Sequence, residues 1–171
     1  ICFMVKSLLL VLFLVMGSLM AQENKDAGVS ICWDTSLSMS ERNLDKDLSV
    51  LESYFKKTEK VEVQLLYFDI AVQERRFRVS NGDWSELENE LRNVAYDGAS
   101  IFSNLNGRIG YPETVFIFTD GKQLLSKDIL PAPDKSFIVN SSPNRNERFL
   151  ERTALINKAR LVDFAKTTDE V

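Results

Sequence analysis

The chain has 171 residues, 44% of them apolar, a formal net charge of −4 and no histidine. That length suits one domain with a real core. The charge balance, with no basic block, excludes a nucleic-acid footprint. The lack of histidine removes the Ser-His nucleophile, histidine general bases and the usual zinc ligands together.

The first segment reads as targeting sequence. Met4 has the character of an initiator and Lys6 supplies a positive charge. Leu8 to Met16 are unbroken apolar residues, and a cut after Ala21 completes a secretory signal over residues 4–21. Leu19 is bulky for the position three before that cut. An uncleaved anchor is the rival reading, but the apolar run falls short of the ~20 residues that span a bilayer. Residues 22–27 form a polar linker, and 28–171 the folded domain. Of the two cysteines, Cys2 lies in or before the signal. Cys32 then has no partner for an internal disulfide and reads as a buried thiol.

From Val29 the chain alternates strand and helix patterns. Val29 to Trp33 is rich in β-formers. Ser40 to Lys57 carries Leu44, Leu48, Leu51 and Phe55 at helical spacing. Val61 to Phe68 is a second strand, joined by a tight link to a third at Val72–Val79. Arg75, Arg76 and Arg78 mark the third as a charged edge strand paired as a hairpin. After the Asn81-Gly82 turn, Asp83 or Ser85 caps a helix with Leu87, Leu91 and Val94 on one face, and Ser85 with Glu88 has capping-box spacing. Tyr96 to Gly110 reads as a loop with a short helix. Val115–Phe118 and Phe137–Val139 are strands four and five, Glu147–Asn157 a helix, and Arg160–Phe164 the sixth strand. This alternation predicts an α/β fold: a Rossmann-like, doubly wound, mostly parallel six-stranded sheet with one antiparallel edge strand and helices on both faces.

In such sheets ligands bind beyond the carboxyl ends of the strands. Asp34-Thr35-Ser36-Leu37-Ser38 follows the first strand. Alternate residues of an extended chain share a side, so Asp34, Ser36 and Ser38 would present three oxygens together, the ligand type a hard cation takes. Thr119-Asp120-Gly121 follows the fourth strand, and Asp97-Gly98-Ala99-Ser100 lies in the intervening loop. Each piece also has a plain structural reading. Ser38 and Glu41 have capping-box spacing, Asp34 would suit a helix N-terminus, and Asp97-Gly98 and Asp120-Gly121 are common turn pairs.

Together these segments resemble the von Willebrand factor A domain over about residues 28–164. The family's Asp-x-Ser-x-Ser signature is matched by Asp34, Ser36 and Ser38, and its Asp-Gly after the fourth strand by Asp120-Gly121. Tyr67-Phe68-Asp69 is similar to the end of its second strand. The family's loop threonine corresponds to Ser100 in Gly98-Ala99-Ser100, although counting back from Leu105 puts Ala99 there instead. The resemblance implies a metal-ion-dependent adhesion site holding Mg²⁺ (or Mn²⁺ or Ca²⁺) on Asp34, Ser36, Ser38, Ser100 and Asp120. Its open position would take a carboxylate from a protein partner. The implied function is a binding module of an exported protein, at the cell surface, in the periplasm or outside the cell, and not an enzyme. Two rivals stand beside it. One is a degenerate spacer domain without metal. The other is a metal-dependent phosphotransfer enzyme, against which Ser36 occupies the place of a needed second carboxylate. The family usually has a helix after its sixth strand, so the expectation is a domain that continues in a longer protein.

Overall fold

A computed structural model describes residues 28–123, 128–134 and 136–166. The signal, the linker and the last five residues lie outside these. The strands are β1 (Gly28–Asp34), β2 (Lys60–Phe68), β3 (Val72–Ser80), β4 (Val115–Phe118), β5 (Phe137–Asn140) and β6 (Arg160–Asp163). The helices are α1 (Leu44–Phe55), α2 (Ser85–Arg92) and α3 (Glu147–Asn157). One sheet runs in the order β3-β2-β1-β4-β5-β6. All neighbours are parallel except β2 and β3, which form the expected antiparallel hairpin with the Arg-rich strand at the edge.

β1 shows why both faces are covered. Its side chains alternate, so Ile31 and Trp33 enter one core and Cys32 the other. On the first face Leu48, Leu51 and Phe55 of α1 and Leu87 and Leu91 of α2 pack on Val29, Ile31, Val63 and Leu65. On the second, Leu150 and Ala154 of α3 join Leu66, Phe68, Phe102 and Ile117. The end of β2, Leu65–Phe68, and β4 are buried nearly throughout, which is why they read as near-continuous apolar runs.

Two local expectations need correcting. The stretch expected to open the first helix divides: Leu37–Glu41 is a 3₁₀ turn, and α1 begins only at Leu44. Asn43 is its N-cap, with Oδ1 accepting from Lys46 N at 3.1 Å, so the Ser38–Glu41 capping box does not form. At α2, Asp83 Oδ1 accepts from both the amide and the hydroxyl of Ser85, and no Ser85–Glu88 box forms. In both places an Asn or Asp side chain outcompetes serine for the free amides.

Candidate functional site

The strand register brings the candidate segments together. Trp33 pairs with Phe118, so the residues after them, Asp34 and Thr119, leave the sheet side by side. The next loop docks on the chain after β1: Ser36 and Gly98 form a bridge, and Leu37 N donates to Gly98 O at 2.8 Å. Gly98 is needed there, because an added Cβ would sit 2.4 Å from the Asp69 side chain. Four of the five sequence-derived residues, Asp34, Ser36, Ser100 and Asp120, are buried, and Ser38 is half-buried.

Asp34 is the centre of the arrangement. Its Oδ1 accepts from Ser36 N at 3.0 Å and its Oδ2 from Thr119 Oγ1 at 2.6 Å. Ser100 Oγ lies 2.8 and 2.9 Å from the two oxygens. Burial pushes the Asp34 carboxyl up from its ordinary value, against the opposing pull of the hydrogen bonds from Thr119, Ser36 and Ser100. A cation beside it would reverse that penalty. The geometry also distinguishes the two loop residues left open by the sequence: the hydroxyl of Ser100 is on Asp34, and Ala99 has no side-chain oxygen to offer.

Ser36 is extended, but Ser38 lies on the 3₁₀ turn, so the expected alternation stops after one step. The two hydroxyls still meet, 3.2 Å apart. Adjacent oxygens of an octahedron with bonds of about 2.1 Å stand about 3 Å apart, so this spacing suits Mg²⁺. Asp120 is fully buried. Its Oδ1 accepts from Lys122 N at 2.9 Å, whereas Oδ2 has no partner among the described residues. A buried carboxylate oxygen without a donor is costly unless something positive reaches it. The donor set therefore fits a hard cation: hydroxyls on Ser36, Ser38 and Ser100, a free oxygen on Asp120, and Asp34 behind them taking up hydroxyl protons. It is not a carboxylate cage, since among the described residues no three His, Cys, Asp or Glu side chains gather. A cleft of about 300 Å³ beside Thr35, with Asp69, Glu90 and Asp97 on its walls, adds negative potential.

The sequence reading did not give Thr119 a role. Its signal was its place at a strand end, directly before Asp120. It also missed Thr35, whose hydroxyl donates to Asp69 Oδ2 at 3.0 Å and ties β2 to this corner.

Comparison with protein-family models and with curated proteins finds no match. Solved structures do match. An aerotolerance-related membrane protein from Bacteroides fragilis superposes with a TM-score of 0.60 at 14% identity, over 80% of this chain and 90% of that one. BatB from Bacteroides thetaiotaomicron gives 0.58 at 13%, over 80% and 89%. A von Willebrand factor type A protein from Catenulispora acidiphila gives 0.57 at 13%, over 81% of this chain and 38% of its own. At such identities the likeness speaks for the backbone alone, and with the strand order and the two covered faces it establishes that this chain has a von Willebrand factor A-type fold.

Proposed function

We propose that the domain is a metal-dependent protein-binding module of an exported protein. Ser36, Ser38, Ser100 and Asp120 would hold Mg²⁺, with Asp34 in the outer shell. The carrying observation is the buried Oδ2 of Asp120, without a partner among the described residues, on the segment that Thr119 ties to Asp34, whose own segment carries two serine hydroxyls at octahedral spacing. The three hydroxyls are neutral, so Asp120 alone among the direct ligands offsets the ion's charge and the ion stays electrophilic. A bound Mg²⁺ keeps water in its remaining positions, and an Asp or Glu carboxylate of a partner protein would displace one. The chain has no histidine to serve as a base for these serines, which supports binding over turnover. The apolar run of residues 8–16 supports export.

The test is a Mg²⁺ titration of the full chain by calorimetry and thermal melting. Ligand at 100 times its Kd adds about 2.7 kcal/mol of stability, a rise of several degrees in Tm at this size. Ser36→Ala removes the shift while keeping the EDTA melting point within a few degrees. A wild-type chain indifferent to millimolar Mg²⁺ would instead favour the spacer reading.

A further inference from the structure

The least expected feature near the site is a buried ion pair beneath it. Arg42 ends the 3₁₀ turn, with its amide donating to Met39 O at 3.1 Å. Its side chain turns back over the end of the sheet, 2% exposed, to meet Asp47 of α1, which is wholly buried. Nε donates to Asp47 Oδ2 at 2.7 Å, and Ser141 Oγ, just past β5, donates to the same oxygen at 2.8 Å.

The surroundings of the guanidinium carry the argument. It lies 3.8 Å from the ring centre of Trp33, and 5.8 Å from those of Tyr96 and Phe118. Trp33 immediately precedes Asp34. Tyr96 opens the loop that delivers Gly98 and Ser100. Phe118 is two residues before Asp120. Trp33 Nε1 also donates to Tyr96 Oη at 3.2 Å. One planar cation thus touches the last core residue of each of the three segments that form the candidate site, while its own backbone closes the turn bearing Ser38.

As a stabilising device this pair is poor. Among the described residues Arg42 Nη1 and Asp47 Oδ1 have no partner, and Nη2, though 2.6 Å from Oδ2, is not aligned to donate. Buried pairs left this incomplete are commonly matched or exceeded in stability by apolar residues of similar volume. What apolar residues lack is the fixed fork and flat face that set distances in several directions at once.

We propose that Arg42, anchored by Asp47 and Ser141, is a positioning residue that holds the three ligand-bearing segments in register. The proposal rests on the metal-binding reading for its purpose, but not for all of its test. The apolar double variant R42M/D47L removes the pair without stranding a charge. Its melting point in EDTA is expected to stay within a few degrees of wild type, while Mg²⁺ affinity by calorimetry falls tenfold or more. In EDTA, amide exchange at Leu37 and Gly98, whose hydrogen bonds join the first two segments, speeds up at least fivefold. Wild-type exchange and wild-type affinity in the double variant overturn the proposal. If wild type itself ignores Mg²⁺, the metal reading fails, and the exchange comparison alone decides whether Arg42 holds the segments. Should the double variant not fold, R42K serves: it keeps the charge but loses the flat fork. Threefold faster exchange at the same amides then supports the clamp, and unchanged exchange refutes it.

Discussion

At the scale of single residues the site depends on hydroxyls whose protons are taken by Asp34. Thr119 supplies the shortest of these contacts, at 2.6 Å to Oδ2. Thr119→Val keeps the shape and deletes the donor, leaving a buried carboxylate less satisfied. A loss of about 1–3 kcal/mol is expected in urea unfolding without metal. Gly98→Ala acts through space: its new Cβ would fall on Asp69, so the loop must lift and carry Ser100 away from Asp34. The expected result is a Mg²⁺ heat at least tenfold weaker in calorimetry, and a melting point lowered by a few degrees in EDTA. Asp34, Ser36 and Ser38 were legible as a set because the motif is local. Ser100 was legible only with Ala99 as a rival, because a loop's register against a strand is fixed by backbone bridges such as Ser36–Gly98, and these leave no mark in the count of residues. The Arg42–Asp47 pair was equally hidden. Five residues apart across a helix start, the two carry no mark of burial in the sequence.

Among the elements, strands and their edge character were the most legible, since burial on both faces writes itself as an unbroken apolar run and an exposed edge as a row of arginines. These arginines are matched: Arg75 with Glu90, Arg76 with Glu74, Arg78 with Glu62. Helix starts were less legible, because several capping residues compete within a few positions and only backbone direction decides. Asp83 illustrates the outcome. The two hydrogen bonds from Ser85 hold its carboxyl below its ordinary value, the hydroxyl being the larger cause. A lowered pKa in the folded state means that the stabilisation is present above the unfolded-state pKa and disappears as pH falls through the folded one. Asp83→Ala should therefore melt below wild type at pH 7, with the gap closing as pH falls below the ordinary carboxylate range when melts of the two proteins are compared. A gap of constant size would show that the charge of Asp83 contributes nothing to α2.

For the whole molecule, the sheet couples the site to the core, because the strands that end at the site, β1 and β4, are also its central ones. The alternation of elements made the fold class readable, but not the strand order, which depends on contacts between segments far apart in the chain. Cys32 offers a probe of this coupling. It lies in the middle of β1, fully buried, and burial pushes its thiol up to about 12. Reaction with a disulfide reagent needs the thiolate in contact with solvent, so at neutral pH labelling must wait for opening of the central sheet. In a Cys2→Ser chain with fast reclosing, the labelling rate then measures the equilibrium fraction of open molecules. If Mg²⁺ binds only the folded site, its presence at 100 times Kd reduces that fraction, and so the rate, by about 100-fold. The comparison with Ser36→Ala separates the site from any general effect of salt, since this variant should label at the same rate with and without the ion. A rate in the Cys2→Ser chain independent of Mg²⁺, despite a measurable heat of binding, would mean that Cys32 is exposed by a local motion that leaves the ligand segments intact. The link between the central sheet and the site would then be refuted.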